Sequence, residues 1–133
     1  MKQYALDSNI VSYYLKGNKT VIEKITSEAE DENSIIIPPI VFFEVKRWLL
    51  ATNAVKKLTL FGAMCSKAGM GVIDKITLET ASEIYSDLQK RGITIGDNDI
   101  LIAAYCIQHD LTLVTNNELH FKHIANLQTI NWL

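Results

Sequence analysis

The sequence has no long apolar run, no disulfide framework and no excess of basic residues. None of its apolar stretches approaches the ~20 residues that span a bilayer, and the N-terminal segment MKQYALDSN reaches Asp7 after three apolar residues, too few for a signal peptide. Its two cysteines, Cys65 and Cys106, lie far apart without metal-ligand spacing. We therefore expect a cytoplasmic protein with reduced thiols and no membrane attachment.

The chain also has little net charge. Its 13 Lys and Arg residues stand against 15 Asp and Glu residues, which gives −2 at pH 7. This balance argues against a uniformly basic face for nucleic acid, but basic pairs occur at Lys46–Arg47, Lys56–Lys57 and Lys90–Arg91. Composition therefore leaves nucleic-acid binding open.

The length of 133 residues and the hydrophobic fraction of 48% predict a single domain, residues 1–133, that buries its own core. Apolar periodicity and turn residues indicate strands alternating with helices along the chain. This alternation is typical of an α/β fold with a central, mostly parallel sheet of four to five strands flanked by helices. Strands are predicted at 3–6, 34–37, 72–73, 111–114 and 127–132, and helices at 9–15, 20–32, 39–54, 55–67, 77–90 and from 97 onward.

Polar side chains follow two of the predicted strands. Asp7 follows the apolar stretch YAL, and Asn116 and Asn117 follow LTLV. Asp97 and Asp99 open the helix that leads into this second strand, where the helix dipole favours anions. Because ligands bind beyond the carboxyl ends of parallel strands, we expect these groups at one edge of the sheet. Purely structural alternatives are N-capping by Asp7 and Asp97 and dipole compensation by Asp99.

Glu44 interrupts an apolar helix in the segment IVFFEVKRWLL. A carboxylate among such neighbours is costly to bury unless it is paired or binds a cation. Its structural alternatives are a salt bridge to Lys46, Arg47 or another helix, or plain exposure. The carboxylates of Asp7, Glu44 and Asp99 would repel one another at one edge unless protonated or bridged, and oxygen ligands suit Mg²⁺ or Mn²⁺.

Four segments occur in the order of the motifs of a known family. They are LDSN at 6–9, Glu44 in FFEV, GDNDILIAA at 96–104 and LVTNN at 113–117. With this ordered set the chain resembles a PIN domain over essentially its whole length, most of all a VapC-type toxin of a bacterial toxin–antitoxin pair. The resemblance implies a PIN-like three-layer fold.

The resemblance also implies roles for individual residues. Asp7, Glu44 and Asp99 match the catalytic acids that hold Mg²⁺ or Mn²⁺. Many family members have Asp where this chain has Asn117, so the resemblance supports one cation more strongly than two. Supporting roles at the site fall to Ser8, Asn9, Asp97, Thr115, Asn117 and Glu118.

The activity implied by the resemblance is hydrolysis of RNA by a metal-dependent endoribonuclease, with tRNA a common substrate class. Such a toxin inhibits translation unless bound by its antitoxin, here a VapB-type protein, and it forms a homodimer. The cation would activate water and stabilise charge on the phosphate. The alternative is a catalytically degenerate PIN-like module that binds RNA or protein, an interpretation that only Asn117 favours.

Two other phosphate-handling folds match less well. A haloacid-dehalogenase-type phosphatase has Asp at the second position after its nucleophile, where this chain has Asn9. A response-regulator receiver has an acidic pair after its first strand, where this chain has Asp7 alone.

The remaining histidines and tryptophans receive structural interpretations. His120 and His123, three residues apart after the TNN turn, are placed at surface or RNA-facing positions rather than as metal ligands. Trp48 and Trp132 are predicted to be core or dimer-interface aromatics.

Overall fold

The computed structural model describes all 133 residues, as a four-stranded parallel sheet with seven helices. This confirms the predicted α/β class and its central parallel sheet. In chain order the elements are β1 (Gln3–Leu6), α1 (Ser8–Leu15), α2 (Lys19–Glu30), β2 (Ser34–Ile36), α3 (Pro39–Ala51), α4 (Val55–Lys67), α5 (Lys75–Lys90), α6 (Asp97–Gln108), β3 (Thr112–Val114), α7 (Glu118–Phe121) and β4 (Thr129–Ile130).

The core is centred on β1, β3 and α6. Leu6, Leu113 and Val114 of the two strands have no exposed surface, and neither do Ile102 and Cys106 of α6. Each buried aliphatic side chain of this size contributes about 1.5–3 kcal/mol to folding. These elements are therefore also well anchored, and four polar residues lie on or directly after them: Asp7, Asn98, Asp99 and Thr115.

The order of the strands creates a crevice at one edge of the sheet. β1 pairs with β2 on one side and with β3 on the other, so the strand order is β2-β1-β3-β4. Connections leave β1 and β3 in different directions, which opens a crevice beyond their carboxyl ends. Leu6 is in register with Val114, and the Asp7 N–H donates to the Val114 carbonyl at 2.9 Å. The residues that follow the two strands are thus neighbours in space.

The strand predicted at 72–73 is wrong. The chain meets the sheet earlier, where the Gly69 N–H donates to the Ile35 carbonyl at 3.1 Å and the Ile37 N–H donates to the Gly69 carbonyl at 2.8 Å. This is a single bridge rather than a strand. Val72 is 72% exposed, so the two apolar residues taken for a strand are not buried in the sheet.

Several predicted boundaries also move. α5 begins two residues earlier than predicted because Asp74 caps it: the Thr77 N–H donates to Asp74 Oδ1 at 3.1 Å, and the Asp74 N–H donates to Thr77 Oγ1 at 3.3 Å. The cap of α6 is Gly96, so the predicted N-cap role of Asp97 is wrong, and Asp97 is an exposed first-turn residue. The last strand is shorter than predicted, since only Thr129–Ile130 pairs with β3.

The structure also describes the state of the two cysteines and the apolar character of the helices. Cys65 and Cys106 are both free thiols, and burial raises the pKa of Cys106 to about 12, which keeps it neutral. No helix has the length and apolar character needed to cross a membrane.

Candidate active site

Asp7 lies at the centre of the crevice, directly after β1, where it caps α1. Its side chain is buried, with 4% exposed. Oδ1 accepts from the Ser8 N–H at 2.8 Å and Oδ2 accepts from the Thr115 hydroxyl at 2.9 Å. Burial raises the pKa of Asp7 to about 6 although these two bonds lower it, and the carboxylates of Asp99 and Glu44 raise it further. The site therefore disfavours the charged form of Asp7 unless a cation binds beside it.

Asn9 and Thr115 connect the end of β1 to the turn after β3. Asn9 Nδ2 donates to Asp7 Oδ2 at 3.3 Å and to Thr115 Oγ1 at 3.4 Å, and Asn9 Oδ1 accepts from the Asn116 N–H at 3.4 Å. The Asn117 N–H donates to Thr115 Oγ1 at 3.0 Å. The Asn117 side chain is exposed and makes no hydrogen bond, so this residue acts on the network through its backbone.

Glu44 has one buried oxygen without a partner. Oε2 accepts from Asn98 Nδ2 at 3.2 Å, whereas Oε1 is buried and makes no hydrogen bond. The proposed salt bridge to Lys46 or Arg47 is absent, because no Lys or Arg forms an ion pair with Glu44. A buried acceptor left unpaired costs about 1–3 kcal/mol. Glu44 therefore presents a free oxygen of the kind that a cation takes.

Asp99 lies in the first turn of α6, as predicted, and pairs with His120 from α7. Its Oδ2 is 3.0 Å from Nε2 of His120, and both side chains are about two-thirds buried. Sequence reasoning missed this contact because it assigned His120 to the surface. The signal available was position: His120 follows Asn117 by three residues, and the end of β3 had already been assigned to the site.

Two of the residues given supporting roles do not join this group. Asp97 is exposed in the first turn of α6. Glu118 is also exposed, and its Oε2 accepts from the Thr129 hydroxyl at 3.3 Å, which turns it toward β4. Asn98, between the two aspartates, is the residue that sequence reasoning overlooked, because only the fold brings it to Glu44. The hydrogen-bonded or electrostatically coupled group at the crevice, in which Ser8 and Asn117 take part through their backbone N–H groups, comprises Asp7, Ser8, Asn9, Glu44, Asn98, Asp99, Thr115, Asn117 and His120.

The donor set fits a hard divalent cation. Carboxylate, amide and hydroxyl oxygens dominate the crevice, and no Lys or Arg is paired with Asp7, Glu44 or Asp99. No three Asp, Glu, His or Cys side chains come together closely enough to complete a metal site by themselves. A divalent cation held here would therefore need waters or substrate phosphates to complete its coordination, as Mg²⁺ commonly does. The unpaired Oε1 of Glu44 is the feature of the chain that such an ion would satisfy.

Comparison with known proteins gives the same picture as the motifs and the geometry. The model of the PIN domain family matches residues 4–127. The chain belongs to the PIN domain family. This confirms the resemblance found in the sequence, and the matched residues begin within β1 and end just before β4.

Several proteins are similar to this PIN domain over nearly their full length. Ribonuclease VapC2 of Rickettsia felis is 32% identical over 136 aligned residues, which cover 97% of each chain. The crystal structure of VapBC2 from Rickettsia felis bound to a DNA fragment from its promoter contains a chain with a TM-score of 0.89 and 29% identity, covering 98% of this PIN domain and 99% of that chain. VapBC-1 from nontypeable Haemophilus influenzae shares the fold, with a TM-score of 0.86 at 22% identity and 98% coverage of both chains.

Proposed function

We propose that this chain is a Mg²⁺- or Mn²⁺-dependent endoribonuclease of the VapC type, with tRNA as its favoured substrate class. In this proposal cleavage of RNA inhibits translation, and a VapB-type antitoxin bound to the chain prevents it. The similarity to Ribonuclease VapC2 of Rickettsia felis supports the nuclease, and the VapBC2 structure supports the antitoxin. The proposal also treats residues 1–133 as one PIN domain that acts as a homodimer in the cytoplasm.

One observation carries the proposal: the carboxylates of Glu44 and Asp99 both act on buried Asp7 without a Lys or Arg partner, and Glu44 keeps a buried, unpaired oxygen. The carboxylates of Glu44 and Asp99 raise the pKa of Asp7, so the three groups are close enough to interact. Such an arrangement is unfavourable in a purely structural role. It becomes favourable when a cation and a phosphate occupy the crevice.

The residues of the chain have defined parts in this reaction. A bound divalent cation would supply water activation and stabilisation of charge on the phosphate. Asp7, Glu44 and Asp99 would hold it, directly or through its waters. Thr115 orients Asp7 and Asn98 orients Glu44, so both carboxylates are positioned before substrate arrives. Hydrolysis breaks the bond between phosphorus and the 3′ oxygen and leaves a new 5′ phosphate.

The experiment compares the wild type with Asp99→Asn and Glu44→Gln. Each protein is incubated with end-labelled RNAs, including a tRNA mixture, in Mg²⁺, Mn²⁺ or EDTA, and new 5′ ends are mapped. Each substitution removes a ligand charge, so we expect a rate loss of about 100-fold or more. Asp110→Asn is the matched control, because Asp110 is exposed at the far end of α6 and its φ of 53° suits Asn equally well.

The same variants expressed in a bacterium test the toxin proposal. Wild type and Asp110→Asn are expected to arrest growth, whereas Asp99→Asn is not. Equal growth arrest by all three proteins would show that toxicity does not depend on the acidic site. A wild type that binds RNA but leaves it intact with every metal would overturn the nuclease and favour the degenerate module instead.

A further inference from the structure

A groove of about 390 Å³ begins at the candidate site and runs between α1 and α3. Ser8, Asn9 and Glu44 line the end that belongs to the site. The groove then follows α1 toward Lys16, which by the rise of 1.5 Å per residue lies about 12 Å beyond Ser8. It therefore leads away from the acids rather than surrounding them.

The far part of the groove is basic in a chain that is acidic overall. Lys16, Arg47 and Lys57 line it, and Glu44 at the site end is its single acidic residue. None of the three cations takes part in an ion pair. Since the whole chain carries a net charge of −2, this concentration of unpaired positive charge beside the acidic crevice marks a place for a polyanion.

An exposed aromatic lies among these cations. Trp48 lines the groove from α3, yet 52% of its surface is exposed, so its ring does not serve the core. The next-door Arg47 is held with its guanidinium carbon 4.9 Å from the centroid of the Phe43 ring. A flat aromatic face beside positive side chains is the arrangement with which proteins bind single-stranded nucleic acid.

We propose that this groove binds the single-stranded RNA segment adjoining the cleaved bond. Phosphates would contact Lys16, Arg47 and Lys57, and a base would stack on Trp48. The inference rests on the proposed nuclease function, and it adds which residues hold the substrate and in which direction the strand leaves the site. The unpaired cations favour RNA over a protein segment as the occupant.

Binding is measured without cleavage, in EDTA, by fluorescence anisotropy of a labelled single-stranded RNA oligonucleotide. The double variant Lys16→Gln with Lys57→Gln is expected to lower the slope of log affinity against log salt by about 1.4, from about 0.7 for each lost phosphate contact. Trp48→Leu is expected to weaken binding at least about fivefold, and Trp48→Phe to retain part of the affinity. The matched controls are Lys90→Gln and Tyr85→Leu, which change an exposed cation and an exposed aromatic on α5.

The outcomes separate this inference from the proposed function. Groove variants that bind RNA like the controls, or a wild type that does not bind the oligonucleotide, overturn the groove as an RNA site and favour a protein segment as its occupant. Cleavage in Mg²⁺ is scored separately on the wild type. Loss of binding in the groove variants without any cleavage by the wild type would support the groove and overturn the nuclease.

Discussion

His120 Nε2 lies 3.0 Å from Asp99 Oδ2, so the short helix after β3 holds a carboxylate in the first turn of α6. The contact leaves the second oxygen of Asp99 available to the crevice. In the proposed metal site, a residue that fixes Asp99 in this way would tune the affinity for the cation without touching it.

The first prediction concerns this pair. His120→Ala should lower Mn²⁺ affinity about tenfold, because Asp99 loses the partner that orients it. His120→Gln keeps a side-chain donor and should recover part of the affinity. Isothermal titration of the RNA-free protein measures both, with His123→Ala as the control on the same segment. Equal affinity in the wild type and His120→Ala would show that the contact has no positioning role.

A second prediction concerns Asn98, the donor to Glu44 Oε2. Asn98→Ala frees this oxygen, and RNA cleavage should fall about tenfold through misorientation of Glu44. Asn98→Asp replaces the donor with a second negative charge, so the loss should be larger. Cleavage rates at saturating Mg²⁺ rank the two variants. Activity in Asn98→Asp that equals or exceeds that of Asn98→Ala would contradict the assigned role.

The raised pKa of Asp7 predicts a stability change with pH. Between pH 3.8 and about 6 the folded protein binds more protons than the unfolded chain, because Asp7 is protonated only in the folded state. The stability that protonated Asp7 contributes is therefore complete below pH 3.8 and is lost as pH rises through about 6. In EDTA at pH 7.5, Asp7→Asn should therefore be more stable than the wild type, by up to about 3 kcal/mol. Urea unfolding at pH 4 and pH 7.5 measures the difference, with Asp110→Asn as control. The prediction would be refuted if Asp7→Asn differed from the wild type by the same free energy of unfolding at both pH values. Added Mg²⁺ should stabilise the wild type but not Asp7→Asn.

Thr115 gives a fourth prediction through the same carboxylate. Its hydroxyl bond lowers the pKa of Asp7, so Thr115→Val should raise that pKa. The acidic side of the pH–rate profile for RNA cleavage then moves to higher pH, because Asp7 must lose its proton to serve as a ligand. Thr115→Ser keeps the hydroxyl and should leave the profile in place. Coincident pH–rate profiles for Thr115→Val and Thr115→Ser would show that the hydroxyl bond does not control the pKa of Asp7.

Much of the fold and the acidic set could be predicted, because each depends on local patterns. Asp7 and Thr115 directly follow apolar strands, and parallel strands place such residues at one edge. Glu44 stood out as a carboxylate in an apolar helix, and the structure leaves one of its oxygens unpaired. Whether these residues act in catalysis stays a prediction.

The contacts that orient the acids could not be predicted from local patterns. Asn98 reaches Glu44 across 54 positions of the chain, and His120 reaches Asp99 across 21. Neither spacing has a local period that a strand or helix pattern would show. The strand predicted at 72–73 is wrong for a related reason. A short apolar stretch does not indicate whether its backbone will hydrogen-bond to the edge of the sheet.

The hydrogen bond between Thr115 and Asp7 joins residues 108 positions apart. During synthesis Asp7 leaves the ribosome well before β3, which must lie beside β1 to bring Thr115 to Asp7. A nascent chain that stops short of Thr115 lacks the hydroxyl group that bonds to Asp7 and all of α7, whose His120 contacts Asp99. The candidate site is therefore absent from every such incomplete chain and forms only after α7 has been made.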